Sequence, residues 1–315
     1  MKITGNRDPM NQSQNPMRHP KSSLIPLAWI LLLILAGTPG QAADSKINVF
    51  AGIPPHAYFV ERIGGVHVNV LVMVGPGQNH ETYEPVPRQM VQLSKSQLYF
   101  QAGLPFEDVW LRRIQSLNPQ LSVVDLCEGI PLRPLSGHVH EDEAAQEPRP
   151  NDGGLQDPHI WLSPPLAQTQ ARAIARALEE TDPAHAGEYR KNLETLLAGL
   201  QALHEEITRL LTGPRSKKFI VYHPAWGYFA DTYGLEQISV EVDGKEPSAK
   251  QLAELIETAK ANQIKTVFVE PRVSPKAAET LAKEIGGKVA VLDPLGKDYV
   301  ENMKKAAQAI AEALR

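Results

Sequence analysis

The chain has 315 residues, with 32 Lys and Arg residues against 36 Asp and Glu residues and a formal net charge of −4 at pH 7. This mild acidic excess gives no support to a nucleic-acid partner and would weakly attract cations. The single cysteine, Cys127, excludes an intramolecular disulfide, and its place after an apolar run predicts a small buried side chain.

Residues 1–42 have the pattern of a secretory signal peptide. Basic residues precede an apolar run at 24–36, and a small-x-Ala cleavage sequence ends at Ala42. The run is too short for a membrane-spanning helix. The start is either Met1 or Met17, and the later one gives a signal of ordinary length. Since no cysteine lies near the cleavage position, we expect a mature protein that is free in the periplasm, without a lipid anchor.

Residues 43–181 are predicted to form an N-terminal α/β lobe, because strand patterns alternate there with helical ones. Such alternation indicates a mostly parallel sheet with helices packed on it. The strand patterns cover 46–51, 66–74, 97–102 and 121–126, and the helical ones cover 85–93, 106–117 and 164–181.

Residues 136–157 interrupt this lobe with six acidic residues and almost no large apolar side chain. Such a segment cannot bury enough apolar surface to become ordered, which predicts a mobile loop. His138 and His140 lie within it beside carboxylates. Two interpretations stay open for this pair: a solvated linker, or an auxiliary arm that collects metal ions.

Residues 182–213 are predicted to form one long helix. Apolar residues recur at alternating spacings of four and three from Tyr189 to Leu210, which places them on one face of a helix. The helix would be on the order of 43 Å long. Because it is too long to cover one small sheet, we expect a stiff spine that contacts both lobes.

Residues 214–315 repeat the strand and helix alternation and are predicted to form a C-terminal α/β lobe. The fold class is therefore α/β, with two Rossmann-like lobes of mostly parallel sheet linked by one long rigid helix. The strand patterns cover 219–222, 238–242, 266–269 and 288–292, and the helical ones cover 225–233, 249–261, 275–285 and the chain from 299.

Four potential metal ligands follow apolar runs: His80, His159, His223 and Asp293. Three of them have a neighbouring proline, which stiffens the backbone. Ligands of open α/β sheets bind beyond the carboxyl ends of the strands, where His80, His223 and Asp293 are predicted to lie. Three imidazoles and one carboxylate suit tetrahedral zinc. For Asp293, a helix-start role in Asp-Pro is an open alternative.

Two glutamates are secondary candidates. Glu81 follows His80 directly and is either a spare carboxylate, a residue that orients a ligand, or a solvated charge. Glu270 follows a predicted strand and is an alternative fourth ligand. Glu246 is assigned instead to the start of the helix capped by Ser248.

At these positions the chain resembles the periplasmic solute-binding proteins of zinc and manganese ABC importers, the ZnuA-type branch of cluster A-I. The resemblance covers essentially all of the mature chain. It is carried by residues 77–85 (GQNHETYEP), 157–164 (DPHIWLSP), 221–229 (VYHPAWGYF), 246–249 (EPSA) and 291–296 (VLDPLG).

The resemblance implies that His80, His159, His223 and Asp293 are the metal ligands. It also implies a family fold of two lobes on one long helix, and delivery of the metal to an ABC transporter permease at the inner membrane. Manganese-type relatives usually have a carboxylate at the third position. The imidazole of His223 favours zinc, since manganese prefers oxygen ligands. Zinc-type relatives often have a His-rich acidic loop, which here contains two histidines.

We therefore expect a monomeric, non-enzymatic zinc-binding protein, with zinc as the transported ligand. The alternative within the same family is manganese or another divalent metal. A remote alternative is a zinc-dependent hydrolase, in which three protein ligands would leave one position for water. An adhesion role and the binding of an organic metal chelate are further alternatives, and no sequence feature favours them.

Overall fold

The computed structural model describes residues 46–75, 77–135, 156–242, 244–271 and 276–315. The predicted signal peptide, His138 and His140 lie outside these residues. The described residues all belong to one compact unit. No helix among the described residues is long and apolar enough to cross a membrane.

Two four-stranded sheets carry the fold, and every strand pairs in parallel with its neighbours. Their orders are β2-β1-β3-β4 and β6-β5-β7-β8, so the second sheet repeats the topology of the first. This confirms the two-lobed α/β prediction. The strands are β1 (Ile47–Ala51), β2 (Val68–Val72), β3 (Leu98–Gln101), β4 (Ser122–Asp125), β5 (Lys218–Val221), β6 (Glu236–Ser239), β7 (Thr266–Val269) and β8 (Lys288–Val291).

Helices connect the strands, and proline at the first turn starts several of them, where its missing N–H costs nothing. Ser248 caps α7 as predicted, since its hydroxyl accepts the Gln251 N–H at 3.3 Å. The helices are α1 (Pro54–Gly64), α2 (Pro87–Leu93), α3 (Pro105–Leu117), α4 (Pro164–Thr181), α5 (Ala186–Leu210), α6 (Gly227–Tyr233), α7 (Ala249–Ala261), α8 (Lys276–Glu284) and α9 (Tyr299–Ala313).

Helix α1 and strand β6 differ from the sequence prediction in ways that bear on the core and on the site. Helix α1 was not predicted, although Pro54 and Pro55 begin it and its apolar residues Phe59, Val60 and Ile63 are buried. Strand β6 ends at Ser239, three residues before the predicted end, and this shift places Glu241 beyond the strand.

Helix α5 is the predicted spine, but it begins at Ala186 rather than near residue 182. The carboxylate of Asp182 accepts hydrogen bonds from His185 Nδ1 at 2.6 Å and from the Tyr189 hydroxyl at 2.7 Å, which holds a separate 3-10 turn before the helix. The 25-residue helix packs against α1 and α4, which precede it in the sequence, and against α9, which follows it. The division into residues 43–181, 182–213 and 214–315 stays a prediction.

Candidate metal centre

Three histidines predicted as ligands converge in the structure. His80, His159 and His223 are 2%, 0% and 9% exposed. One nitrogen from each lies within 4.8 Å of the other two. The Nε2 atoms of His80 and His159 are 2.9 Å apart, and the ring centroids are 5.2 to 5.6 Å apart. Nitrogens this close can share one ion with bond lengths near 2.0–2.1 Å.

Two of the predicted ligands, His80 and His223, lie beyond the ends of parallel strands, as expected from the sequence. His80 lies in the loop after β2, where the Asn79 side chain accepts the N–H groups of Glu81 and Thr82 and forms a tight turn. His223 lies two residues after β5. His159 immediately precedes a short 3-10 helix, Ile160–Leu162, that leads into α4.

Two carboxylates, the buried Asp157 and the half-buried Glu241, orient two of the three imidazoles. Asp157 Oδ1 lies 2.7 Å from His159 Nδ1 and also accepts the His159 backbone N–H at 3.0 Å. Glu241 Oε2 lies 3.4 Å from His223 Nδ1. A carboxylate on Nδ1 fixes the tautomer that presents Nε2 to a metal. His80 Nδ1 has no hydrogen-bond partner in the described part of the chain.

Sequence reasoning missed Glu241. Its signal was present, because Glu241 follows a strand in the same way as His80 and His223 do. The predicted strand at 238–242 hid it by placing Glu241 inside the sheet rather than beyond its edge.

The candidate fourth ligands differ in their surroundings. Glu81 Oε1 lies 3.4 Å from His223 Nε2, and Glu81, His223 and Glu241 form a second group that is compact enough for an ion. Glu270 Oε1 is buried and has no hydrogen-bond partner among the described residues. Asp293 Oδ1 accepts the Leu295 N–H at 2.9 Å. Asp293 belongs to neither compact group of the described residues, so its ligand role stays a prediction.

Charges around the site divide the histidines. Burial, reinforced by the neighbouring imidazoles of His159 and His223, lowers the pKa of His80 well below its usual value. Burial alone would also lower the pKa of His223, but the hydrogen bond to Glu241 and the nearby carboxylates outweigh it and raise that pKa to about 9. Burial raises the pKa of Glu270. Without a metal, a pKa of about 9 keeps the His223 imidazole protonated at neutral pH.

A pocket of about 230 Å³ opens beside His80 and His223. Glutamates supply much of its wall, which gives a negative path to the buried nitrogens and favours a cation over an anion. The lining residues are Asn79, His80, Glu81, Thr82, Tyr222, His223, Glu241, Gly244, Glu246 and Glu270.

Residues from the second half of the chain hold the segment that carries His159. The Tyr228 hydroxyl donates to Asp157 O at 3.0 Å, and the Tyr299 hydroxyl donates to Trp161 O at 2.7 Å. The Trp161 indole donates to Pro294 O at 2.8 Å. Ser163 occupies the predicted cap position of α4 but makes no side-chain cap, and it pairs with Thr232 at 2.8 Å instead. We call residues 157–163 the clamped segment.

Comparison with protein families gives a match to the family described as zinc-uptake complex component A, periplasmic (ZnuA), over residues 49–313. The zinc uptake protein ZnuA of Bacillus subtilis is 30% identical over 313 residues, with 93% of this chain and 97% of that protein covered. A putative metal-binding protein of Treponema pallidum is also 30% identical, with 91% and 94% covered.

Solved structures agree with the sequence comparison. A crystal structure of ZnuA has a TM-score of 0.78 and 40% identity, and it covers 86% of this chain and all of that one. A ZnuA deletion mutant with zinc bound has a TM-score of 0.77 and 41% identity, with 86% and 98% covered. The laminin-binding protein Lmb of Streptococcus agalactiae, described as an adhesin with metal transporting activity, has a TM-score of 0.74 and 26% identity, with 86% and 100% covered.

Proposed function

The chain belongs to the ZnuA family of periplasmic zinc-uptake components, and we propose that it holds one zinc ion through His80, His159 and His223 for delivery to an ABC transporter permease at the inner membrane. The observation that carries the ligand set is the convergence of three buried imidazoles within 4.8 Å. A ring of nitrogens with carboxylates behind two of them is the arrangement that zinc sites use.

The donor chemistry supports zinc over manganese. Three imidazole nitrogens suit zinc, whereas manganese favours carboxylate, carbonyl and water oxygens. The third position, which is a carboxylate in the manganese alternative, is here His223, whose Nε2 makes no hydrogen bond within the described part of the chain and faces Glu81 Oε1 at 3.4 Å. We therefore propose zinc as the cargo and manganese as the competitor that a binding experiment must exclude.

For the fourth position we propose an oxygen ligand, with Asp293 and Glu81 as the candidates. Asp293 would have to share the oxygen that accepts the Leu295 N–H, or offer the other one. Glu81 is already 3.4 Å from His223 Nε2, a separation that allows both atoms to bind one ion. An open fourth position is also what a zinc hydrolase would need, but family membership supports transport.

Release of the ion is proposed to use local loop movement rather than wide opening of the lobes. Helix α5 packs against helices that precede and follow it in the chain, which makes large closure costly. Small-angle scattering with and without zinc should give nearly equal radii of gyration. A large decrease on zinc binding would contradict this mechanism.

The remaining proposals concern the mature protein. We propose cleavage after Ala42, a periplasmic location without a lipid anchor, a monomer, and no enzymatic activity. Intact mass and N-terminal sequencing of the exported protein test the cleavage, and light scattering tests the monomer. An acylated N-terminus or a stable dimer would overturn the corresponding proposal.

The function is tested by metal content after mild purification and by competition titration of zinc against manganese, on the mature protein and on His223→Ala. We expect one tightly held zinc that His223→Ala weakens sharply. His204→Ala is the matched control. His204 lies on α5, contacts the Tyr233 hydroxyl and belongs to neither compact group of potential ligands among the described residues. A preference for manganese, or an unchanged affinity in His223→Ala, would overturn the assignment.

A further inference from the structure

Arg133 links the two halves of the chain beside a proposed zinc ligand. It lies in the segment after β4, and its Nη1 is 3.9 Å from Asp157 Oδ2. Its Nε is 3.4 Å from Asp231 Oδ2 on α6. The guanidinium carbon lies 5.9 Å from the Tyr228 ring centroid. One side chain therefore contacts both the clamped segment and the second half of the chain.

The backbone holds Arg133 in this place. Its N–H donates to the Tyr228 hydroxyl at 3.0 Å, and its carbonyl accepts the Asp157 N–H at 2.9 Å. Pro134 and Gln156 form an antiparallel bridge next to it. The guanidinium is thus fixed at its base, which reduces the entropy lost when it faces a carboxylate.

Asp157 needs a positive partner. Its side chain is 1% exposed, and Oδ1 is occupied by His159. A buried carboxylate is costly unless charges or hydrogen bonds compensate it. Arg133, whose side chain is 24% exposed, supplies the positive charge facing Oδ2. Without Arg133, the cost of burying an uncompensated carboxylate would favour movement of Asp157 toward water and away from His159.

Gly227 preserves the space that the guanidinium uses. A Cβ placed on Gly227, the first residue of α6, would overlap Arg133 Nη1 and approach Asp157 Oδ2 to 2.9 Å. The chain therefore has no side chain where Arg133 passes between α6 and Asp157. This gives a way to displace Arg133 without removing it.

We propose that Arg133 is a positioning residue for zinc: it holds Asp157 on His159 and ties the orientation of that ligand to α6. The proposal rests on the proposed ligand role of His159. It assigns Arg133 no contact with the ion. Removal of Arg133 should lower the zinc affinity because His159 becomes less well oriented. This effect should depend entirely on the presence of the Asp157 carboxylate.

The main test is a double-mutant cycle on zinc affinity with Arg133→Met and Asp157→Asn in the mature protein. Outer partners of metal ligands change affinity by about 10–100-fold. We expect Arg133→Met to raise the zinc dissociation constant about tenfold in the wild-type background and less than about twofold in Asp157→Asn. Equal factors in both backgrounds, or a change below about twofold in the wild type, would overturn the proposal.

Two variants separate positioning from loss of structure. Arg133→Lys keeps the charge and should recover part of the affinity, whereas Gly227→Ala crowds both the guanidinium and Asp157 Oδ2 and should weaken zinc binding at least as much as Arg133→Met. Arg190→Met is the matched control, because Arg190 pairs with Glu179 at 2.9 Å on an exposed face. If Arg190→Met weakens zinc as much as Arg133→Met, the effect is general and the proposal fails.

The His159 imidazole provides the specific readout. In zinc-loaded protein, nuclear magnetic resonance of the histidine side chains should show a protected Nδ1 proton on His159. Arg133→Met should expose that proton to faster exchange and leave the His223 proton unchanged. Unchanged protection of His159 would overturn the proposal. Retention of tight zinc by His159→Ala would instead overturn the ligand set, which distinguishes the two failures.

Discussion

His80 and His159 reach the same proposed metal position from segments that are held very differently. The turn around His80 depends on contacts within a few residues, from Gln78 to Gly75 and from Asn79 to Glu81. The clamped segment is held by side chains and backbone groups 69 to 138 residues away. One ligand is placed by a local turn, and the other by the junction of the two halves.

This difference indicates which of the two proposed ligands can move. A local turn opens without disturbing either sheet, whereas movement of the clamped segment breaks several buried hydrogen bonds at once. Among the residues that the structure describes, no carboxylate binds His80 Nδ1 in the way that Asp157 and Glu241 contact His159 and His223. We therefore expect His80 to be the first ligand to leave when zinc is released.

The largest effect should follow removal of either ligand. His80→Ala and His159→Ala should each raise the zinc dissociation constant by more than about 100-fold, since loss of an outer partner alone reaches that factor. Competition with a chromophoric chelator measures this, with His204→Ala as the control. If His80→Ala stays within about tenfold of the wild type, the locally held turn does not supply a ligand.

Loss of the carboxylates behind the imidazoles should have the next largest effect. Asp157→Asn and Glu241→Gln should each weaken zinc by about 10–100-fold. Asp157→Asn should be the more severe, because its contact is 2.7 Å rather than 3.4 Å. Glu188→Gln removes a similar partner, 3.0 Å from His67, and should leave zinc affinity unchanged. The reverse order of the two site variants would weaken the contrast drawn here.

Zinc affinity should rise with pH up to about 9. The raised pKa of His223, about 9, means that the metal-free site carries a proton that zinc must displace. Displacing one proton strengthens binding about tenfold per pH unit. Since the pKa of His80 is already low, His80 should add nothing to the slope near neutral pH. Titrations at pH 6.5, 7.5 and 8.5 measure the slope, and a flat profile would contradict it.

Stability of the metal-free protein should show the smallest effect. Tyr299→Phe removes only the hydroxyl that donates to Trp161 O, and it should lower the free energy of unfolding by about 1 kcal/mol. Gln78→Ala acts on the local turn and should change the free energy of unfolding by less than about 0.5 kcal/mol. Urea denaturation without metal compares the two. Equal losses would mean that both segments are held alike.

The sequence predicts the two sheets well because parallel strands leave apolar runs with turn residues at their ends. It predicts His80 and His223 for the same reason. Sequence reasoning fails at α1, because the pair Pro54-Pro55, which starts this helix, is also typical of a turn. It also misses Glu241, because the end of an apolar run fixes a strand boundary only to within a few residues.

The clamped segment lies beyond sequence reasoning altogether. The hydrogen-bond partners that Asp157, Trp161 and Ser163 have in the second half of the chain are 69 to 138 residues distant, and local patterns do not specify such pairs. The role of Arg133 belongs to the same class. Only the folded chain brings it between Asp157 and Asp231.

The most direct test is a crystal structure of the zinc-loaded mature protein with anomalous diffraction measured at the zinc edge. We expect one zinc bonded to Nε2 of His80, His159 and His223 at about 2.0–2.1 Å. Asp157 and Glu241 should remain on the Nδ1 atoms, and an oxygen should fill the fourth position. An ion held elsewhere, or by fewer than three of these imidazoles, would contradict the account.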